Sequence, residues 1–265
     1  GKSFLGKLFQ CFFGRFFNDS DFVSWTSTPN FIQLVGFYFK DALFFVDDFK
    51  RGHIRDFRAI IQFIQTYADG TGRGRLYADS TTKQTKPIRG MLISTGEDVP
   101  EHEASTLARM IIGELTNNEK DIDKGARCLE FRKYYSGIMT EYIHWLIKTN
   151  TKDKINAFVQ NCTKRFYEGI KGEQNDIRIA HNCALAFTGF SLFCDFMVDS
   201  KVISEEESKS MLEEANEILF SMRDKQIQTV SNEQASNVFL NTLSDLISNG
   251  RVSIHNPNMI RHIGQ

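Results

Sequence analysis

Three short groups of residues carry the side chains that phosphate chemistry needs, and each adjoins an apolar element able to hold it. The first is Gly1-Lys2-Ser3. A glycine lets backbone N–H groups cradle a phosphate, a lysine amine meets the outer phosphates, and a serine hydroxyl ligates Mg²⁺. A helix starting there adds the favourable end of its dipole. Only the last three positions of the pattern GxxxxGK[ST] are present, so alone the group also reads as the chance start of a helix. The second group is Asp47-Asp48, at the end of the apolar run ALFFV. A nucleotide site needs a carboxylate at the tip of a buried strand for Mg²⁺, and a second acid there orients the attacking water. Asp47 is assigned to metal and Asp48 to water, with the reverse order open and an N-cap role for Asp48 as the structural alternative. The third group closes the strand GMLIST: Thr95 is the expected sensor of the γ-phosphate or positioner of water, with Ser94 as its substitute.

A basic segment precedes that third strand. Arg73, Arg75, Lys83, Lys86 and Arg89 alternate with glycines, and Asp79 is the acid among them. Cationic side chains at a tight turn suit a phosphate backbone, and Arg73, Arg75, Lys83 and Lys86 are the candidate DNA contacts. A solvated charged loop is the plain alternative. Arg109 follows soon after the strand, where a guanidinium could reach a γ-phosphate in its own subunit or a neighbour's. A helix-surface arginine is its bland reading. His53, His102, His144 and His181 have no ligand spacing and read as structural or surface residues.

The elements that must position these groups are visible as periodicities. Apolar residues recur at helical spacing over 4–17, over a second helix through Phe31, Leu34, Val35 and Phe39, and over 54–68. Residues 42–46 and 88–95 are short continuous apolar runs, which predicts buried strands of a parallel sheet. SWTSTPN reads as a polar connection, and DGTGRGRLYADSTTKQTK as a loop or hairpin. Helices alternating with strands predict an α/β parallel sheet with covered faces. Past residue 117 the strand-like runs stop. Helices are expected over 119–148, 151–170, 174–200, 204–228 and 233–249, with Ser204 and Glu207 forming a capping box and Gly250 ending the last. The expected organisation is therefore 1–117, an α/β part; 118–250, an all-helical part; and 251–265, the start of a further segment.

The bulk numbers fit this division. A chain of 265 residues can bury a real core, and 41% hydrophobic with 25% charged residues is ordinary for a globular protein. A net charge of −1 excludes a general polycation, so any nucleic-acid contact must be local. Five cysteines without paired spacing point to reduced core thiols in a cytoplasmic protein and against zinc. No stretch is read as approaching the ~18 apolar residues of a membrane span.

The sequence resembles the helicase-like P-loop ATPases of phages, plasmids and integrated mobile elements, a superfamily 3 or AAA+-like group often linked to primase-polymerases. The resemblance rests on the opening GKS, SWTST, DALFFVDDFK, DGTGRGR and LISTGEDVPEHEASTLARMIIGEL, with YYSGIMTEYIHWL and FLNTLSDLISNGRV in the helical part. Thr95-Gly96-Glu97-Asp98 and Ala108-Arg109 correspond to the family's TGED-like turn and alanine–arginine pair. EHEAST departs from the family's glycine–glutamine stretch. The resemblance implies a RecA/AAA+-type fold whose first strand and first half of the phosphate loop precede Gly1, with ATP and Mg²⁺ as cofactors. It also implies a homo-oligomeric ring acting on DNA in replication, with a primase-polymerase as a partner and no membrane. The rival readings are a regulatory nucleotide switch or scaffold that leaves DNA alone and, more remotely, a small-molecule kinase.

Overall fold

The computed structural model describes residues 1–18, 21–71, 75–76, 82–83, 89–100, 103–115, 121–170, 172–233 and 235–252. It is a mixed α/β protein with a small parallel sheet and many helices. Three strands, β1 (Val23–Ser24), β2 (Phe44–Phe49) and the later β5 (Leu92–Gly96), lie in the order β1-β2-β5 and are all parallel. Helix α1 (Lys2–Gln10) precedes β1, α2 (Pro29–Phe39) joins β1 to β2, and α3 (Phe57–Ala68) follows β2. Strands β3 (Arg75–Leu76) and β4 (Thr82–Lys83) form a separate antiparallel pair between α3 and β5.

Local chemistry accounts for these boundaries. Thr28 caps α2 by accepting from the Phe31 amide, and Pro29 occupies the first helical turn, where its missing N–H costs nothing. Asp56 caps α3 through the Ala59 amide at 3.0 Å. Strand β2 sends Phe44 and Val46 to a core shared with Trp25, Ile32, Ile60, Phe63 and Ile64. Phe45 points the other way, toward α1. Burying each such side chain contributes about 1.5–3 kcal/mol.

The helical part follows as α4 (Ala104–Leu107), α5 (Ile122–Phe131), α6 (Tyr135–Thr149), α7 (Lys152–Tyr167), α8 (Gln174–Asp199), α9 (Glu205–Asn232) and α10 (Ala235–Ser248). Its core gathers Leu107, Ala108, Cys162, Phe166, Ile179, Cys183, Phe187 and Val230. The capping box expected at Ser204 is present: Ser204 accepts from the Glu207 amide at 3.1 Å, and Glu207 accepts from the Ser204 amide at 2.8 Å.

Several expected bounds are corrected. The helix drawn over 4–17 ends at Gln10 and tightens into a 3₁₀ turn over Cys11–Phe13 before Gly14. The helix drawn over 119–148 is broken by a 3₁₀ turn at Arg132–Tyr134. SWTSTPN contributes a strand residue, Ser24, where a connection was expected. The boundary drawn at 117 lies after α4, yet Leu107 and Ala108 already belong to the helical core, so packing changes hands earlier. Among the described residues one helix, α8, is by length and composition apolar enough to cross a membrane, against the expectation that no stretch approaches that length. Thr188, Ser191 and His181 interrupt its apolar run, and half of its most apolar window is buried inside the fold.

Candidate functional site

The carboxyl ends of parallel strands are where an open α/β sheet gathers ligands, and here β2 and β5 bring the expected residues together. The packing of α1 explains how. Gly6 lies against the Phe45 ring so closely that an added Cβ would meet a ring carbon at 2.2 Å. A glycine is therefore required for α1 to rest on β2. Asp47 lies two residues beyond Phe45 and shares its face of the strand. Ser3 lies three residues before Gly6, on the same side of the helix. The two meet: the Ser3 hydroxyl donates to Asp47 Oδ1 at 2.9 Å.

Two further donors reach that same oxygen. The Thr95 hydroxyl donates to it from β5, and the Asp48 amide donates to it at 2.9 Å. Lys2 donates through Nζ to the Gly96 carbonyl, at the tip of β5. Lys2, Ser3, Asp47 and Thr95 thus occupy one end of the sheet. The pleat also separates the two candidates on β5. Thr95 faces Asp47, whereas Ser94 accepts from the Trp25 indole at 2.8 Å on the opposite side.

Asp48 stands apart from the other four. Its φ of 63° is left-handed, a conformation uncommon for residues other than glycine. The register with β5 slips here, pairing Val46 with Ser94 and Phe49 with Gly96. The extra residue is a β-bulge, and it reverses strand parity so that Phe49 returns to the core face with Phe44 and Val46. The bulge turns the Asp48 amide onto Asp47 and leaves the Asp48 side chain exposed. Gly96 is forced by the same approach, since a Cβ there would lie 2.3 Å from the Phe49 carbonyl oxygen.

The rim holds residues whose sequence gave no separate signal. Lys50 pairs with Glu97 at 2.6 Å, and their hydrogen bond raises the lysine's pKa and lowers the glutamate's. Asp98 accepts from the Arg51 amide at 2.9 Å. Trp25 is buried, and its amide donates to the Asp47 carbonyl at 3.0 Å, which ties β1 to the same strand end. Lys50 and Glu97 lie 47 residues apart, so only the sheet register could have paired them.

Arg109 is not brought to this cluster. Its Nε and Nη2 grip both carboxylate oxygens of Asp69 at 2.9 and 3.1 Å, and Nη1 donates to the Ser105 carbonyl at 2.7 Å. Asp69 caps the C-terminal end of α3, toward the entry of β5, where Tyr67 donates to the Gly90 carbonyl at 2.5 Å. That is the end of the sheet away from Asp47. The expected role of Arg109 on its own subunit's phosphate is corrected accordingly: the guanidinium fastens α4 to α3. It also holds the Asp69 carboxyl below its ordinary value of 3.8, chiefly through the hydrogen bond. Of the candidate DNA contacts, Arg73 and Lys86 lie outside the described residues. Arg75 and Lys83 are backbone partners in the antiparallel β3–β4 pair, in line with the hairpin alternative.

The donor set around Asp47 fits Mg²⁺. Ser3 and Asp47 would supply a hydroxyl and a carboxylate, and the remaining oxygen ligands would come from water and phosphate. Among the described residues, no group of three or more His, Cys, Asp or Glu side chains could hold a metal ion, so a dedicated all-protein cage has no ligands here. No family profile matches the chain, and no curated protein or solved structure matches it significantly.

Proposed function

We propose that the chain is the core of a P-loop ATPase of RecA/AAA+ type, coupling ATP hydrolysis to movement on DNA. The observation that carries this reading is the meeting of Ser3, Asp47 and Thr95 at one carboxylate oxygen, with Lys2 at the adjoining strand tip. In that role Lys2 meets the β- and γ-phosphates, while Ser3 and Asp47 hold Mg²⁺, directly and through water. Thr95 reports the γ-phosphate to β5. The N-terminus of α1 adds its dipole, and its first turn holds no acid to oppose an anion. Mg²⁺ itself supplies charge neutralisation at the phosphates.

The assignment of water activation to Asp48 keeps its support from exposure and position beside the metal carboxylate. The left-handed backbone there fixes where the side chain leaves the strand. The β3–β4 hairpin is the proposed DNA element, through Arg73, Arg75, Lys83 and Lys86. A ring of subunits would then need a different cation than Arg109 for the γ-phosphate of its neighbour, because Asp69 already occupies that side chain. This engagement favours, as a second reading, a nucleotide switch that turns over slowly and ignores DNA.

Steady-state ATP hydrolysis should rise with single-stranded DNA and vanish in Lys2→Ala. Arg73→Ala with Arg75→Ala should remove the stimulation and spare basal turnover. A rate indifferent to DNA, with no DNA binding, ends the motor reading and leaves the switch.

A further inference from the structure

Past Asp47 the chain of β2 carries a further cation, and the bulge decides where it points. Phe45 and Asp47 lie on the α1 face, while the extra residue at Asp48 returns Phe49 to the core face. Lys50 keeps extended backbone angles, φ −142° and ψ 114°. Side chains alternate along extended chain, so Lys50 leaves on the face of Asp47. Without the bulge it would point to the core face, with Phe44 and Val46. The same count holds past β5: Thr95 faces Asp47, Gly96 packs against Phe49, and Glu97 returns to the α1 face. There Lys50 Nζ and a Glu97 carboxylate oxygen meet at 2.6 Å.

Lys2 closes on the same place. Its amine donates to the Gly96 carbonyl, in the peptide that leads into Glu97. The Lys50 hydrogen bond is the main cause holding the Glu97 carboxyl below its ordinary value, and the Lys2 charge adds to it. Two ammoniums from different elements thus act on one carboxylate of the chain, beside Asp47 and Thr95. A terminal phosphoryl group spreads more charge over three oxygens, so it can engage both amines at once. Lys50 and Glu97 are 37% and 66% exposed, and an exposed ion pair adds little to stability. The pair therefore opens at small cost. Arg109, the other cation considered for this role, is fixed on Asp69 at the far end of the sheet.

We propose that Lys50 binds the terminal phosphate of the nucleotide, and that Glu97 is a built-in competitor which this phosphate displaces from Lys50 and Lys2. This role for Lys50 rests on the ATPase reading and gives that site a preference. ATP reaches Lys50, whereas ADP, one phosphate shorter, leaves the Lys50–Glu97 pair closed. Departure of the terminal phosphate lets the pair re-form, which passes the state of the nucleotide to the ends of β2 and β5.

Calorimetric titration of the chain with Mg·ATP and with Mg·ADP tests this. Lys50→Ala should weaken ATP about tenfold, the loss of one charge-assisted contact, and leave ADP within about twofold. Lys50→Arg should restore most of the ATP affinity. Glu97→Gln should tighten ATP by about two- to fivefold, the strength of the exposed ion pair it removes; a merely structural role for Glu97 predicts a loss. Arg51→Ala removes a neighbouring charge whose guanidinium lies over the Phe57 ring at 4.9 Å, and it should change neither nucleotide. If Lys50→Ala weakens ATP no more than ADP, or Glu97→Gln loosens ATP, the assignment falls, while ATP binding that depends on Lys2 keeps the ATPase reading. A parent chain that binds neither nucleotide ends both.

Discussion

The two ends of the molecule treat their polar groups in opposite ways. Around Asp47 the donors find an acceptor within the chain: Ser3, Thr95 and the Asp48 amide all converge on one oxygen. Among α7, α8 and α9, side-chain atoms of Arg165 and Asn216 are buried without partners. The first arrangement follows from backbone geometry, since a glycine contact and strand parity carry the side chains to one place. The second is a contact between helices whose buried polar atoms find no complement in the protein. A ligand at the first exchanges hydrogen bonds with the cluster, whereas the second is closed to solvent. The two regions should therefore respond independently to substitution.

The largest effect is expected from Lys2→Ala. ATP turnover should fall by about a hundredfold or more, the scale of losing one preorganised charge at a phosphoryl centre. Thermal stability should stay nearly unchanged, because Lys2 is exposed. A parallel loss of stability would mean that the fold, and not the site, was broken.

Gly6→Val presses on the route by which Ser3 reaches Asp47. The new side chain would have to enter the Phe45 ring, which is fully buried and cannot swing aside. Thermal or denaturant unfolding should show a loss of about 1–3 kcal/mol, the usual cost of overpacking. Magnesium-dependent nucleotide binding should weaken further than stability does, because α1 must lift Ser3 from the strand. An unchanged melting curve would mean that α1 does not rest on β2 in this way.

How much of this was legible beforehand depends on distance along the chain. The end of ALFFV in two acids, the capping of α9 and the helical spacing of α3 were readable because each is written within a few neighbouring residues. Strand β1 escaped because two residues, Val23 and Ser24, cannot display a period. The break at Arg132–Tyr134 escaped because Phe131, Tyr134, Tyr135 and Ile138 keep helical spacing across it. Arg109 shows the other limit. Its partner Asp69 lies 40 residues away, and only the return of the chain after β5 sets them side by side. The sequence prefers Thr95 to Ser94, but that its hydroxyl, and not that of Ser94, faces Asp47 is set by the pleat of β5 in register with β2, which adjacency in sequence does not reveal.

A smaller effect follows from that same pair. Arg109→Ala should lower stability by about 1 kcal/mol: the arginine side chain is 13% exposed, but Asp69 is 44% exposed and solvent screens the contact. Basal ATP turnover should be spared. A collapse of kcat at unchanged stability would instead make Arg109 a finger on a neighbouring subunit. The pH dependence has a definite sign. Asp69 titrates below its ordinary 3.8 when folded, so its contribution is complete above that value and is lost as pH falls through the folded pKa. Arg109→Ala should flatten this acid limb of the stability curve and leave the neutral region parallel to the parent.

The central claim is that Lys2, Ser3, Asp47 and Thr95 surround one metal–triphosphate. Paramagnetic broadening by Mn²⁺·ATP tests it most directly. The amide signals of Ser3, Asp48 and Thr95 should broaden first, those of α8 and α9 should stay sharp, and Asp47→Asn should abolish the effect at the same concentrations. Broadening that spares these three amides, or that survives Asp47→Asn unchanged, would contradict it.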